Sequence, residues 1–231
     1  MMDVERRHLA QPVELRAAAG GPGVLAGYAA KYMRYSQNLG GFVEQIASGA
    51  FAKSLGDRVP VIARYNHDDN YLLGTTEAGT LRLMSDADGL PYEVELPDTS
   101  AGRDVAALAK RGDLRYSSFA FHTLEDEWSV TEQGFPLRTL LNVQLVDVAP
   151  VNSPAYLDTS TGLRSLAFRI DVDPDDVNRV SLEEIRSRLA GEVSAPEVRE
   201  EKQEEKEDGQ GDTHPNLIAL RLRELELLKS R

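Results

Sequence analysis

The chain is organised around residues 114–121, which read Leu-Arg-Tyr-Ser-Ser-Phe-Ala-Phe. The aromatic residues at positions 116, 119 and 121 favour a buried strand. Two adjacent hydroxyl groups stand in the middle of this strand. A buried hydroxyl without a hydrogen-bond partner costs about 1–3 kcal/mol, so Ser117 and Ser118 each need a partner or a reason to react. The rest of the sequence decides between these explanations.

The composition limits the kind of protein this chain can be. It has 231 residues, of which 41% are apolar, enough for one main domain with a sizeable core. The net charge of −12 argues against a generally basic surface that would bind nucleic acid. Because the chain contains no cysteine, disulfides, thiolate zinc sites and cysteine nucleophiles are excluded. The charged N-terminus lacks an apolar segment, which predicts a soluble, cytoplasmic protein without a membrane partner.

Alternating and apolar runs predict a mainly β domain of the α+β class over residues 1–165. The clearest hairpin lies at residues 81–96, around an Asp-Gly step. A helix is predicted from Thr99 or Ser100 to Lys110, with Gly112 after it, and a shorter helix is predicted to begin at Ser48. The remaining runs of strand-forming residues are separated by turn formers.

The composition changes after residue 165, and residues 166–231 are expected to form an acidic, largely disordered tail. Two helices are predicted within it, near 181–190 and 215–229. Residues 197–212 between them are almost entirely charged or polar, and they lack the apolar area needed to offset chain entropy.

Two of the four histidines are candidates for a general base. His8 and His214 lie in charged terminal segments, whereas His67 and His122 are expected near the core. His122 shares a strand face with Ser118, but about 13 Å of extended strand would separate their Cα atoms. A base from another strand is therefore favoured over His122.

His67 follows the strand-like run 59–65 and has two acidic neighbours, Asp68 and Asp69. Such a histidine can be held in one tautomer near neutral pH, or it can be a solvated turn residue. A metal site at residues 66–69 is disfavoured because no second histidine or cysteine stands at ligand spacing. We therefore predict neither a metal nor a cofactor.

Asp147 lies in the middle of the apolar run 145–151. A buried carboxylate is costly unless it is paired, either by orienting an imidazole or in a salt bridge or cap. Serine, histidine and carboxylate on separate strands are the groups needed for nucleophilic acyl transfer, although Ser118 could instead be an ordinary strand serine. The Gly-x-Ser-x-Gly pattern of α/β-hydrolases is not present.

Three segments together resemble the prohead serine protease family of tailed bacteriophages. They are Asn66-His67-Asp68, Ser118-Phe119-Ala120-Phe121 and residues 145–156, and the resemblance spans roughly residues 10–165. It implies an assemblin-like β-barrel with peripheral helices. It also implies Ser118 as nucleophile, His67 as general base and Asp147 as third member of a triad. The chain departs from the family pattern at Ala120, where the family has glycine, and at Asp147, where relatives often have glutamate.

The resemblance implies a serine endopeptidase that acts in the host cytoplasm, inside the assembling prohead. Its polypeptide substrates would be the scaffold or the scaffold-like region of the major capsid protein, and it would also cleave itself. Homodimerisation is one option. The oxyanion stabiliser is left open between backbone amides and an arginine such as Arg138.

Two other functions use the same sequence features. One is a non-catalytic scaffolding or capsid-assembly protein with the same fold, and the other is a small-molecule esterase or amidase. The tail helix at 215–229 could assemble with scaffold helices and be removed by self-cleavage, or the tail could serve solubility alone.

Overall fold

The computed structural model describes residues 3–18, 20–153 and 160–191. The strands are β1 Glu5–Leu9, β2 Glu14–Arg16, β3 Val24–Lys31, β4 Val43–Ile46, β5 Ile62–Arg64, β6 Leu72–Thr75, β7 Leu81–Leu83, β8 Gly89–Glu95, β9 Tyr116–Val130 and β10 Pro136–Val151. The helices are α1 Ala52–Gly56, α2 Ser100–Arg111, α3 Ser160–Arg169 and α4 Leu182–Leu189, with 3₁₀ turns at Tyr65–His67 and Val177–Arg179.

The strands form two sheets. The larger has the order β1-β9-β10-β5-β6, and β4 pairs beside β5 on the same edge of β10. Strands β9 and β10 form a long antiparallel hairpin, whereas β4 and β5 run parallel to β10. The smaller sheet has the order β2-β3-β8-β7 and is antiparallel throughout. Its β7–β8 pair is the hairpin predicted at residues 81–96.

The α+β class with a predominance of strands is confirmed. The expected barrel is not found in the part of the chain that the structure describes. Closing a barrel requires hydrogen bonds between the outer strands of a sheet. Here the outer strands are β1 and β6 in the larger sheet and β2 and β7 in the smaller one, and the described pairings do not join them. The architecture is therefore two sheets with a shared core.

The main core lies where the aromatic side chains of β9 meet the neighbouring elements. The Phe119 and Phe121 rings stack at 4.9 Å, and Phe51 packs edge-on against Phe119 at 5.6 Å. Tyr92 of β8 is buried in the same cluster. Since offset and edge-on ring pairs add to the gain from burial, this cluster fixes the side of β9 that faces the core.

Helix α2 has the ends that the sequence predicts. The Thr99 hydroxyl accepts a hydrogen bond from the Gly102 amide at 3.3 Å, and Gly112 follows the helix in the left-handed region with φ 80°. The prediction that Ser48 caps α1 was wrong, because α1 follows Phe51 and has no side-chain cap. A backbone turn occupies the Ser48 region instead, with the Ala50 amide donating to the Ala47 carbonyl.

Helix α3 was not predicted, and it spans the expected domain boundary at residue 165. Its Leu166 packs with Phe42, Trp128 and Ile185 of α4 in a second apolar cluster. Helix α4 confirms the prediction near 181–190, with the Ser181 hydroxyl accepting from the Glu184 amide at 3.2 Å.

The expected disordered linker at 197–212, the helix at 215–229 and the segment 154–156 lie outside the described residues. In the described ranges, no helix is both long and apolar enough to cross a membrane.

Candidate active site

Strand β9 sends its two adjacent serines to opposite faces, because side chains alternate along a strand. Ser117 faces the core, where its Oγ lies 3.0 Å from the Tyr92 hydroxyl. Burial raises the pKa of Tyr92 to about 12, with the Ser117 hydrogen bond opposing part of the rise, so Tyr92 stays neutral at physiological pH. Ser117 thus has the partner that a buried hydroxyl requires.

Ser118 faces the opposite side of the sheet, together with His67 and Asp147. Its Oγ lies 2.7 Å from His67 Nε2, and His67 Nδ1 lies 2.6 Å from Asp147 Oδ1. Because a carboxylate only accepts, Nδ1 carries the hydrogen in this contact and Nε2 is left to face the serine. The exposed fractions are 0% for Ser118 and 2% for Asp147. The structure therefore brings the three candidate residues into one buried chain of hydrogen bonds.

A strained turn places the His67 imidazole. Strand β5 ends at Arg64, and both Asn66 and His67 then adopt positive φ angles, of 55° and 57°. Such conformations cost about 1–3 kcal/mol each in residues other than glycine, so other contacts must hold them. One is the Asn66 Oδ1 atom, which accepts a hydrogen bond at 3.1 Å from the amide of Asn152, just after β10. Asn66 thereby ties the histidine turn to the strand of Asp147.

A bulge in β10 turns Asp147 toward the site. Leu145 pairs with Phe121 and Asp147 pairs with Ala120, so the register shifts by one residue at Val146. In a regular strand Leu145 and Asp147 would point to the same face, which here is the apolar core. The extra residue instead places Asp147 on the face of Ala120 and Ser118. The sequence alternation alone gives no sign of this shift.

Arg64 completes the site, and its role was missed in the sequence. Its Nε lies 3.0 Å from Asp147 Oδ2, the carboxylate oxygen that His67 does not use. The N–H is not directed at that oxygen, so the contact is an ion pair rather than a hydrogen bond. A nearby guanidinium compensates a buried carboxylate that would otherwise be costly. Ser118, His67, Asp147 and Arg64 are called the site cluster below.

The sequence model of the caudovirus prohead serine proteases matches residues 11–173, more than half of the chain. The chain belongs to this family. The solved structure of the bacteriophage T4 capsid assembly protease, gp21, is similar with 13% sequence identity and a TM-score of 0.46, over 65% of this chain and 98% of that chain. No curated protein matches the chain significantly.

Two other histidines of this family member have other surroundings. His122, which was weighed as a base and disfavoured, donates from Nδ1 to the Asp3 carbonyl at 3.1 Å. His8 was expected away from the core, yet it lies in β1 directly opposite Ser118. Burial and the neighbouring Arg7 charge lower the pKa of His8. The terminal position of His8 gave no indication that its strand would join the sheet.

Arg138 belongs to a second buried cluster, which we call the ionic network. Its guanidinium donates to Glu5 at 2.8 Å, to Asp126 at 2.6 Å and to Glu44 at 3.1 Å. Arg7 donates to the same glutamates, at 2.7 Å to Glu5 and 2.8 Å to Glu44. Arg138 is only 1% exposed, and its guanidinium is paired with these carboxylates. It is therefore not free to act as the oxyanion stabiliser suggested from the sequence.

Charge within the ionic network outweighs the cost of burial. Burial alone would raise the pKa of Glu5, but the hydrogen bond and charge of Arg138 and the charge of Arg7 together hold it below the ordinary value. The same carboxylates raise the pKa of Arg138 against the effect of its burial. The network therefore stays charged, and it joins β1, β4, β9 and β10.

Two pockets flank the site without reaching the serine. One of about 310 Å³ lies against β1 and is lined by its residues Arg7, His8 and Leu9, and another of about 560 Å³ lies beside Asn66 and Asn152. Ser118 lines neither of them. No set of three or more His, Asp or Glu side chains in the described part of the chain is arranged to hold a metal ion.

Proposed function

We propose that this prohead protease family member uses Ser118 as its nucleophile, His67 as its general base and Asp147 as the group that orients the imidazole. The observation that carries the proposal is the continuous contact from Ser118 Oγ to His67 Nε2 and from His67 Nδ1 to Asp147. This is the arrangement that activates a hydroxyl in serine hydrolases. Family membership supports peptide bonds as the target.

The geometry supports a two-step reaction. In the first step Ser118 Oγ attacks the carbonyl carbon of the scissile bond while His67 Nε2 takes the hydroxyl proton. The tetrahedral intermediate collapses when His67 gives that proton to the leaving amine, which leaves an acyl group on Ser118. In the second step a water, deprotonated by His67, attacks the acyl carbon, and His67 returns the proton to Ser118 Oγ as the ester bond breaks and the acid leaves. Asp147 stabilises the imidazolium in both steps, and Arg64 holds its second oxygen.

We infer that the substrates are polypeptides of the assembling prohead, namely scaffold and the scaffold-like region of the major capsid protein. Family membership supports this class, and the same reaction could remove segments of the protease itself. The enzyme would then act inside the prohead, in the host cytoplasm.

The test is to express the chain with its cognate capsid and scaffold proteins and to follow cleavage by mass spectrometry. Wild type should process them and Ser118→Ala should not. Ser117→Ala is the matched control, because it removes the same atom one residue away on the core face. It should retain cleavage, with a loss of stability of about 1 kcal/mol from the Tyr92 hydrogen bond.

Three other results would reject parts of the proposal. Equal processing by wild type and Ser118→Ala would remove Ser118 as the nucleophile, and loss in Ser117→Ala alone would assign that role to Ser117. Normal capsid assembly without any cleavage would instead indicate a scaffolding protein. Hydrolysis confined to small esters or amides would indicate an esterase or amidase.

A further inference from the structure

The Ser118 hydroxyl has two acceptors and one hydrogen. Its Oγ lies 2.7 Å from His67 Nε2 and 2.8 Å from the backbone carbonyl of Arg7 in β1. A carbonyl oxygen only accepts, so a hydroxyl that donates to Arg7 cannot donate to His67 at the same time. Both contacts have ordinary hydrogen-bond lengths. Strand β1 therefore competes with the general base for the hydrogen that catalysis must move.

Strand β1 also occupies the edge of β9 beside Ser118. It pairs antiparallel with β9, from Glu5 opposite Phe121 to Leu9 opposite Ser117, and His8 stands directly opposite Ser118. The serine has no exposed surface in this arrangement. A protease must place a substrate carbonyl carbon about 3 Å from its nucleophile. While β1 occupies this edge, an extended polypeptide cannot pair with β9 beside Ser118.

Three observations bear on the role of β1. It is an outer strand with a single neighbour, β9, and its residues Arg7, His8 and Leu9 line the pocket of about 310 Å³. The family match begins at residue 11, after β1 has ended. In addition, a backbone carbonyl of β1, rather than a side chain, approaches the nucleophile.

We propose that the edge of β9 at residues 117–121, which pairs with β1, is the peptide-binding edge of the enzyme, and that β1 occupies it in the resting state. An extended substrate segment would add to β9 in place of β1, with main-chain hydrogen bonds supplying the affinity. The inference rests on the proposed function, since it assigns Ser118 as the nucleophile.

The ionic network sets how firmly β1 is held. Glu5 and Arg7 are its only members on β1, and they contribute opposite charges. When β1 leaves, Arg138 still lies between Glu44 and Asp126. The charge balance of the remaining network is therefore unchanged. Displacement of β1 therefore breaks the ion pairs made by Glu5 and Arg7, but it does not leave Arg138 buried without a carboxylate partner.

A reversible disulfide between β1 and β9 tests the proposal in the full chain. Arg6 and Ala120 are directly opposite each other, and opposed residues in antiparallel strands have Cα separations that a disulfide spans. Because the natural chain has no cysteine, Arg6→Cys with Ala120→Cys introduces only this pair. Cleavage of the cognate capsid and scaffold proteins is measured on the oxidised and the reduced forms of one preparation.

The oxidised double variant should cleave at least about tenfold more slowly than its reduced form, and reductant should restore the rate. Ala120→Cys alone, given the same redox treatment, should show no such change. Equal cleavage by a fully cross-linked and a reduced chain would overturn the proposal, since β1 would then stay in place during catalysis. If the proposed function itself is wrong, wild type and Ser118→Ala will process the substrates equally. That result is distinct from equal cleavage by the cross-linked and reduced forms.

Discussion

The site cluster and the ionic network are both buried and both built on β9 and β10, yet they distribute hydrogen bonds differently. In the ionic network each guanidinium faces several carboxylates, and the cluster joins four strands. In the site cluster one hydroxyl hydrogen is shared between two acceptors. The ionic network, in which every charge is paired, helps to hold the strands together. The site cluster, in which the Ser118 hydroxyl has more acceptors than hydrogens, can move a proton.

The largest expected effect concerns the site cluster and comes from its carboxylate, Asp147. Asp147→Asn should lower the rate of capsid-protein cleavage by about 10²–10⁴-fold, because an amide no longer stabilises the imidazolium or fixes the tautomer of His67. The rate is measured on purified protein, with thermal unfolding as a check on folding.

The control for this change is Asp69→Asn, which alters an exposed carboxylate that contacts Arg64 from the solvent side. It should leave the cleavage rate within about twofold of wild type, since exposed ion pairs contribute little. Comparable losses in both variants would contradict a special role for Asp147.

The next effect concerns stability and should come from the ionic network. Arg138→Met leaves Glu5 and Glu44 with Arg7 as their remaining guanidinium and removes the guanidinium that pairs with Asp126, so we expect a loss of about 3–5 kcal/mol in the free energy of unfolding. Denaturant titration measures this loss. The same change at Arg164, whose ion pair with Asp3 is exposed, should cost less than about 1 kcal/mol. Similar costs at the two positions would show that the ionic network adds no stability.

The smallest effect appears when pH is varied on the wild type. Cleavage should fall as the pH is lowered, because a protonated imidazole at His67 cannot take the proton of Ser118. The free energy of unfolding should not fall together with the cleavage rate. Glu5 has a lowered pKa in the folded protein, so its contribution is complete above its ordinary value of 4.5 and is lost as the pH falls through the lower folded value.

Cleavage rate and melting temperature, measured side by side between pH 8 and 4, test this separation. A flat activity profile from pH 8 to 5 would argue against His67 as the base. A melting temperature that falls together with the activity would contradict this separation.

The sequence predicted the elements whose local signals are strong. Thr99 and Gly112 bound α2, Ser181 caps α4, and an Asp-Gly step marks the β7–β8 hairpin. These predictions succeed because capping and turn chemistry depend on a few neighbouring residues. Helix α3 carries weaker signals, and its position depends on packing against Phe42 and Trp128.

The sequence singled out His67, Ser118 and Asp147, and the family resemblance implied that they form a triad. The structure places His67 within hydrogen-bond distance of both Ser118 and Asp147. Arg64 and the Arg7 carbonyl were missed. Arg64 reads as an ordinary strand residue, and a backbone carbonyl has no signature in sequence at all.

The sequence by itself determined the chemistry that the chain can offer: hydroxyl, imidazole and carboxylate on three strand-like segments, and no thiol. It also determined that one of the two serines faces away from the core, because alternation is a local property of a strand. Only the tertiary structure decided that the bulge at Val146 turns Asp147 toward the site and that β1 pairs with β9 beside Ser118. Strand register and edge pairing are contacts between distant residues, so local sequence cannot specify them.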